Sequence, residues 1–222
     1  MQKNSIWISA FCLSIVSLLV ACGSTEDAKL AFVGERIELN EAGTLDTLGH
    51  SIPAFSFMNQ DSLMVSSEDY KGKIYVADFF FTTCPTICKD MSGNLLELQK
   101  IVSIFPEVHI LSHTVNPEFD TPDVLKKYAE DLGADTRNWN FVTGEKEAIY
   151  KQGLEGYFVE AEKSEIAPGG FLHSELFVLV DKNGFIRSRK DDYGNPIAAY
   201  DGTSPEEVKK LIQDIKRLVK ED

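Results

Sequence analysis

The sequence predicts an α/β fold, helices sandwiching a mostly parallel sheet, and three observations carry that prediction. Strand-like and helix-like hydrophobic patterns alternate from Ile52 to the C-terminus, as they do where helices cover a sheet with a parallel centre. Residues 74–81 form an apolar run interrupted only by Asp78, the pattern of a strand buried on both faces. Thr121-Pro122 and Ser204-Pro205 each put a capping hydroxyl before a proline at the first helical position, which fixes two helix starts.

Ahead of that series, Lys3 precedes a mostly apolar stretch, residues 6–20, and then Ala21-Cys22-Gly23-Ser24. A basic start and an apolar run shorter than the roughly 20 residues of a bilayer span read as an export signal. The ending Leu19-Val20-Ala21-Cys22 resembles a bacterial lipobox, which implies cleavage after Ala21 and a lipid on Cys22. Residues 1–21 are therefore expected to be a lipoprotein signal peptide. Residues 22–48 are polar, acidic and poor in aromatics, and are expected to be a flexible membrane tether. Residues 49–222 are the expected folded domain. It would sit in the cell envelope, lipid-anchored to a bacterial membrane and facing the periplasm or the exterior.

Within the domain, residues 54–58 and 63–65, split by Asn59-Gln60-Asp61-Ser62, form an extra N-terminal hairpin. After the 74–81 strand, Pro85 opens a helix whose apolar positions Ile87, Met91, Leu95, Leu98, Val102 and Phe105 recur at spacings of three and four. Residues 108–115 are the next strand, and Thr121-Pro122 begins a helix reaching Leu132. A short strand at 139–143 and a short helix at 145–154 follow. An irregular inserted loop, residues 160–170 with Pro168-Gly169-Gly170, precedes the last hairpin, whose arms 176–180 and 185–189 are joined by an Asn183-Gly184 turn. Ser204-Pro205-Glu206-Glu207 is a capping box for a final helix with Val208, Leu211, Ile212, Ile215 and Val219 on one face.

Of the 222 residues, 43% are hydrophobic and 26% charged, which excludes wholesale disorder. Lys plus Arg number 22 against 35 Asp plus Glu, a formal charge of −13. Such a surface repels phosphate backbones, so no nucleic-acid partner is expected. Polar loops interrupt every apolar run after the first, which rules out a multispan membrane protein. Four cysteines are too few for a disulfide scaffold. Cys12 leaves with the signal and Cys22 takes the lipid, so Cys84 and Cys88 remain as the free thiols.

Phe81-Thr82-Thr83-Cys84-Pro85-Thr86-Ile87-Cys88 sets that pair where a buried strand meets a helix. A helix N-terminus favours anions and so lowers thiol pKa. Residues four apart share a helix face, so both sulfurs can reach one acceptor. A structural disulfide across so short a loop would add little stability. Thiol redox chemistry, metal binding, or both are left. Asp78, in a run that is otherwise dry, is a candidate general acid/base, because burial raises a carboxylate's pKa. An Asp exposed on a strand edge, or one bonded to a nearby backbone amide, is the alternative.

Val76-Ala77-Asp78-Phe79-Phe80 resembles the thioredoxin strand in which a buried acid lies beneath the dithiol. Thr82-x-Cys84-Pro85-x-x-Cys88 resembles the signature of the Sco (SenC) family of copper-delivery proteins. Val115-Asn116-Pro117-Glu118-Phe119-Asp120-Thr121-Pro122 is similar to that family's V-D-P-E-R-D-T-P, and Trp139-x-Phe141-x-Thr143-Gly144 to its W-x-x-L-T-G. His173-Ser174, ahead of a strand and Asp181-x-x-Gly184, is similar to the motif carrying its third metal ligand. The resemblance runs from about Ile52 to the C-terminus, with the motifs in order. It implies a thioredoxin-like fold, a central mixed sheet flanked by helices, and copper, Cu(I) or Cu(II), on Cys84, Cys88 and His173. Two thiolates with one imidazole suit copper, whereas a structural zinc site usually has four protein ligands. His113 reads as a core residue of an apolar strand, His50 as part of the linker junction and His109 as a strand start. The chain departs from the family pattern at Leu172, where many relatives carry Asp, at Asn116 and Phe119, in place of Asp and Arg, and at Lys89, where a second Pro is common. None of these removes a ligand.

The resemblance implies a membrane-tethered copper chaperone that delivers to the CuA site of cytochrome c oxidase, with the CuA subunit as partner. The enzymatic alternative is a thiol–disulfide reductase, with Cys84 attacking, Cys88 resolving and Asp78 moving protons. A redox or copper sensor is a third reading. His173 separates them, since a reductase has no use for it.

Overall fold

The computed structural model describes residues 29–221 except Glu35, Asn40 and Glu41. The expected signal peptide and Cys22 lie outside the described residues. Seven strands form the main sheet, in the order Tyr200–Asp201, Leu176–Val180, Ile74–Phe80, Val108–Thr114, Trp139–Thr143, Ser56–Asn59 and Met64–Ser66. Ile74–Phe80 and Val108–Thr114 run parallel, as do Val108–Thr114 and Trp139–Thr143. The flanking strands are antiparallel. The parallel centre is the part buried on both sides, and all seven residues of Ile74–Phe80 are buried.

Alternation along that strand divides the core. Phe80 packs on Tyr128 and Phe141, with ring centroids 5.3 and 5.7 Å away. Phe79 points the other way, stacked on His113 at 4.7 Å and against Tyr157 at 5.8 Å. The helices are α1 (Cys88–Val102), α2 (Pro122–Leu132), α3 (Lys146–Lys151) and α4 (Pro205–Lys220). Ser92 Oγ and Tyr128 Oη, 2.7 Å apart, join α1 to α2. Thr121 and Ser204 cap α2 and α4 as predicted, accepting from Val124 N and Glu207 N. Among the described residues, no helix is long and apolar enough to cross a membrane.

Four segments differ from expectation. The helix expected from Pro85 starts at Cys88: residues 85–87 lie in bends and a turn, and Met91 N–H donates to the Ile87 carbonyl (3.0 Å) at the helix start. The inserted loop is a hairpin: Ala161–Lys163 pairs antiparallel with Phe171–His173, so His173 is a strand residue. The second arm of the last hairpin keeps only a bridge between Val180 and Ile186. Its Arg187–Ser188 pairs instead with Ala31–Phe32.

The expected tether is thus not flexible throughout residues 22–48. Leu30, Ala31 and Val33 are buried on the domain, and Arg36–Leu39 pairs with Leu45–Leu48. A few apolar residues in a polar stretch suffice when a free strand edge is there to receive them.

Candidate metal centre

The turn after the central strand presents Cys84 half-buried, and the first turn of α1 presents Cys88 at 2% exposure. His173 arrives from the far hairpin, at 8% exposure. The ligand atoms of Cys84, Cys88 and His173 lie within 4.8 Å of one another, and this is the candidate metal cluster found among the described residues. His173 Nδ1–H donates to the Ser174 carbonyl (3.1 Å), which leaves Nε2 as the acceptor, 3.2 Å from Cys88 Sγ. Occupying one ring nitrogen fixes the tautomer that the other nitrogen needs as a ligand.

The hairpin seats on the dithiol loop through aromatic packing. Phe81 lies 5.2 Å from the Phe171 ring and edge-on to His173 at 5.6 Å. The hairpin also needs a glycine. Gly169 has φ +79°, and a Cβ there would stand 2.8 Å from the Phe81 ring and 2.9 Å from Pro85. On the other side, a cavity of about 330 Å³ opens beside the two sulfurs, bordered by Phe81, Thr82, Ser92 and Tyr128.

The two thiols are not equivalent. Burial pushes the Cys84 pKa up, but hydrogen bonds from the Cys88 thiol, the backbone amides of Thr86 and Cys88 and the Thr86 hydroxyl outweigh it and bring it below the ordinary thiol value. Cys88 goes far above that value, through burial and then through its neighbour Cys84. Cys84 therefore ionises first. His173 is held below the usual histidine range by burial and is neutral at pH 7.

Asp78 is fully buried, so the edge-strand alternative fails. Its carboxyl accepts from Ser112 Oγ, which in turn accepts from Trp139 Nε1 at 2.8 Å. Burial pushes its pKa up to about 7, partly offset by Ser112. It stands outside the ligand cluster and faces the dithiol side, where its charge helps raise Cys88. His113 is a core residue as expected, fully buried among Phe57, Phe79 and Tyr157. His50 binds the Gly156 carbonyl (3.0 Å), and His109 lies in a buried strand.

Two residues that sequence reasoning passed over also shape the centre. One is Gly169. The other is Asp120, buried in the motif just before α2 and bonded to Thr82.

The SCO1/SenC family profile matches residues 45–214. The chain belongs to the SCO1/SenC family. It is similar to a SCO1/SenC family lipoprotein from Bacillus anthracis, at 34% identity and a TM-score of 0.67, over 77% of this chain and 96% of that one. It is also similar to BsSco, a member of the Sco family of cytochrome c oxidase assembly proteins in which a disulfide switch was identified. There the identity is 31% and the TM-score 0.66, over 80% of this chain and 98% of that one. The fold extends to Bradyrhizobium japonicum ScoI, solved with copper bound, at 24% identity and a TM-score of 0.59, over 75% and 98%. As a SCO1/SenC member the chain has the thioredoxin-like fold that its motifs implied.

Proposed function

We propose that this SCO1/SenC protein carries copper on Cys84, Cys88 and His173 and delivers it, from a lipid anchor at Cys22, to the CuA site of cytochrome c oxidase. One observation carries the copper reading: an imidazole from the far hairpin turns its free Nε2 to within 3.2 Å of a buried sulfur. A dithiol enzyme needs two sulfurs and no third donor. Two sulfurs and one imidazole form a soft set suited to copper, and the related ScoI structure holds that metal. The oxidase destination and the membrane anchor are supported by what BsSco and the Bacillus anthracis lipoprotein are, together with the lipobox around Cys22.

The residues divide the work. Cys88 and His173 are buried and grip. Cys84 is the more exposed and more acidic thiol, so it meets the incoming ligand. Three donors leave a position for an acceptor's thiolate or imidazole, and copper passes by ligand exchange without being released to water. Thiolates bind only when reduced, so joining Cys84 to Cys88 as a disulfide would stop delivery.

The split between the thiols also favours a second reading, disulfide reduction. Cys84 thiolate attacks a target disulfide, and Cys88 displaces the target sulfur as it loses its proton. Cu(I) competition titration and a disulfide-reduction assay on His173→Ala separate the two. Weakened copper binding with normal reduction is expected. Unchanged Cu(I) affinity would overturn the copper reading. X-ray absorption of the reduced, copper-loaded domain should show two sulfurs and one nitrogen per copper.

A further inference from the structure

Asp120 is 0% exposed, lies 38 residues from Thr82 in sequence, and is neither a ligand nor in contact with one. Its carboxylate is nevertheless spent on the turn that presents Cys84. Oδ2 accepts from the Thr82 backbone N–H at 3.1 Å, and Oδ1 accepts from the Thr82 hydroxyl. Oδ2 accepts again from Thr114 Oγ1 at 2.5 Å, and Thr114 Oγ1 itself accepts from Asn116 N at 3.0 Å. Thr82 is the first central residue of the turn closed by Cys84 N–H on Phe81. One carboxylate therefore holds both donors of that residue and ties them to the end of the neighbouring parallel strand.

We propose that Asp120 is the positioning residue of the metal centre: through Thr82 it fixes the turn that holds Cys84 within reach of Cys88 and His173. The inference deepens the copper reading and rests on it for its copper readout alone. Nothing else in the turn does this work. Residues 81–87 lie in turn or irregular backbone ahead of α1, and the hydrogen bonds to the Cys84 sulfur come from Thr86 and Cys88, within the same short segment. A carboxylate fits because all three facing groups donate. An amide of the same shape could keep the Thr82 N–H and Thr114 bonds only by turning its NH2 to the Thr82 hydroxyl, which must then accept rather than donate, and it loses the charge that strengthens all three bonds.

The test is Asp120→Asn in the reduced chain, read two ways. Cu(I) affinity by competition titration should fall by about ten- to a hundredfold, the usual cost of losing an outer-shell partner. The alkylation rate of Cys84 in metal-free protein, at fixed pH, should shift as well, and this readout holds whether or not copper is the cargo. Thr82→Val, which keeps the backbone bond and removes the hydroxyl one, should move both readouts the same way by less. The double variant should be no worse than Asp120→Asn, because the two groups act as a unit. Arg187→Met, which destabilises the far end of the sheet, should move neither. Wild-type alkylation and copper affinity in folded Asp120→Asn would overturn the proposal. If that variant does not fold, unchanged values in Thr82→Val would do so instead. Failure of the wild-type chain to bind Cu(I) would sink the copper reading and leave the alkylation result to judge Asp120.

Discussion

Arg187 and Cys88 are both buried, and both serve segments that leave the central sheet, but at opposite ends of it. Arg187 stands by the turn after Val180, which pairs with Tyr75 at the start of the central strand. Its guanidinium donates to Asp181 (2.9 Å), to Glu221 (2.7 Å) and to the Leu30 carbonyl (2.7 Å), and lies over the Phe32 ring at 4.3 Å. The carboxylates are engaged too: Asp181 also takes the Asn183 and Phe185 amides, and Glu221 the Leu30 amide, while Arg187 Nε is left without a partner among the described residues. At the other end, Cys84, Cys88 and His173 converge with no ion pair between them: the imidazole meets the Cys88 sulfur at 3.2 Å, and Cys84 takes neutral donors from Thr86 and Cys88. Buried polar groups are normally satisfied. Where opposite charges meet, the result is a fastening, and where soft neutral donors gather, the result is a set suited to a soft metal ion.

That contrast can be broken experimentally. The largest effect is expected for Cys88→Ala, which removes the sulfur nearest His173 and should abolish copper retention on gel filtration. One retained copper per chain would show that the donors do not act together. Arg187→Met leaves two buried carboxylates without their cation, and should cost about 3–5 kcal/mol in urea denaturation while copper affinity stays unchanged. A parallel fall in affinity would mean that the two ends are coupled.

Asp78→Asn sharpens the comparison through pH. The folded-state pKa of Asp78, about 7, lies above the ordinary 3.8. The folded chain therefore binds the proton more tightly than the unfolded one. The resulting stabilisation is complete below about pH 4 and is lost as pH rises through 7. Wild type should lose a few kcal/mol, at about 1.4 per pH unit, between pH 4 and pH 8. Asp78→Asn should remove that slope and be the more stable protein at pH 8. An unchanged slope in chemical denaturation would rule out Asp78 as its source. The smallest effect is expected for Gly169→Ala. A left-handed alanine crowding Phe81 should cost about 1–3 kcal/mol and weaken copper binding slightly by lifting the His173 hairpin.

Much of the centre was legible because its signals are local. Residues 74–81 could not be dry and continuous without being a buried strand, and the spacing of Cys84 and Cys88 needs no knowledge of the rest of the chain. His173 was reached by resemblance to a motif, since nothing in residues 160–173 announces a strand that will deliver an imidazole. The N-terminal segment was misread for a related reason. Ala31–Phe32 becomes a strand only by pairing with Arg187–Ser188, more than 150 residues away, and composition does not encode that. Asp120 was passed over because Thr121-Pro122 accounted for its neighbourhood as a helix start. The hint was an extra acid beside a complete cap.

The fastening of Leu30 to Arg187 and Glu221 would also set how a chain lipidated at Cys22 hangs. A lipid at Cys22 would be seven peptide steps from Lys29, no more than about 25 Å of chain. Leu30 ties on at the base of the sheet, while the sulfurs sit at the crown, a seven-residue strand away, or about 23 Å. Moored by its base, the domain would lift its copper away from the lipid. A recipient in the same membrane would have to rise by a comparable height, or the whole domain would have to tip over to reach it.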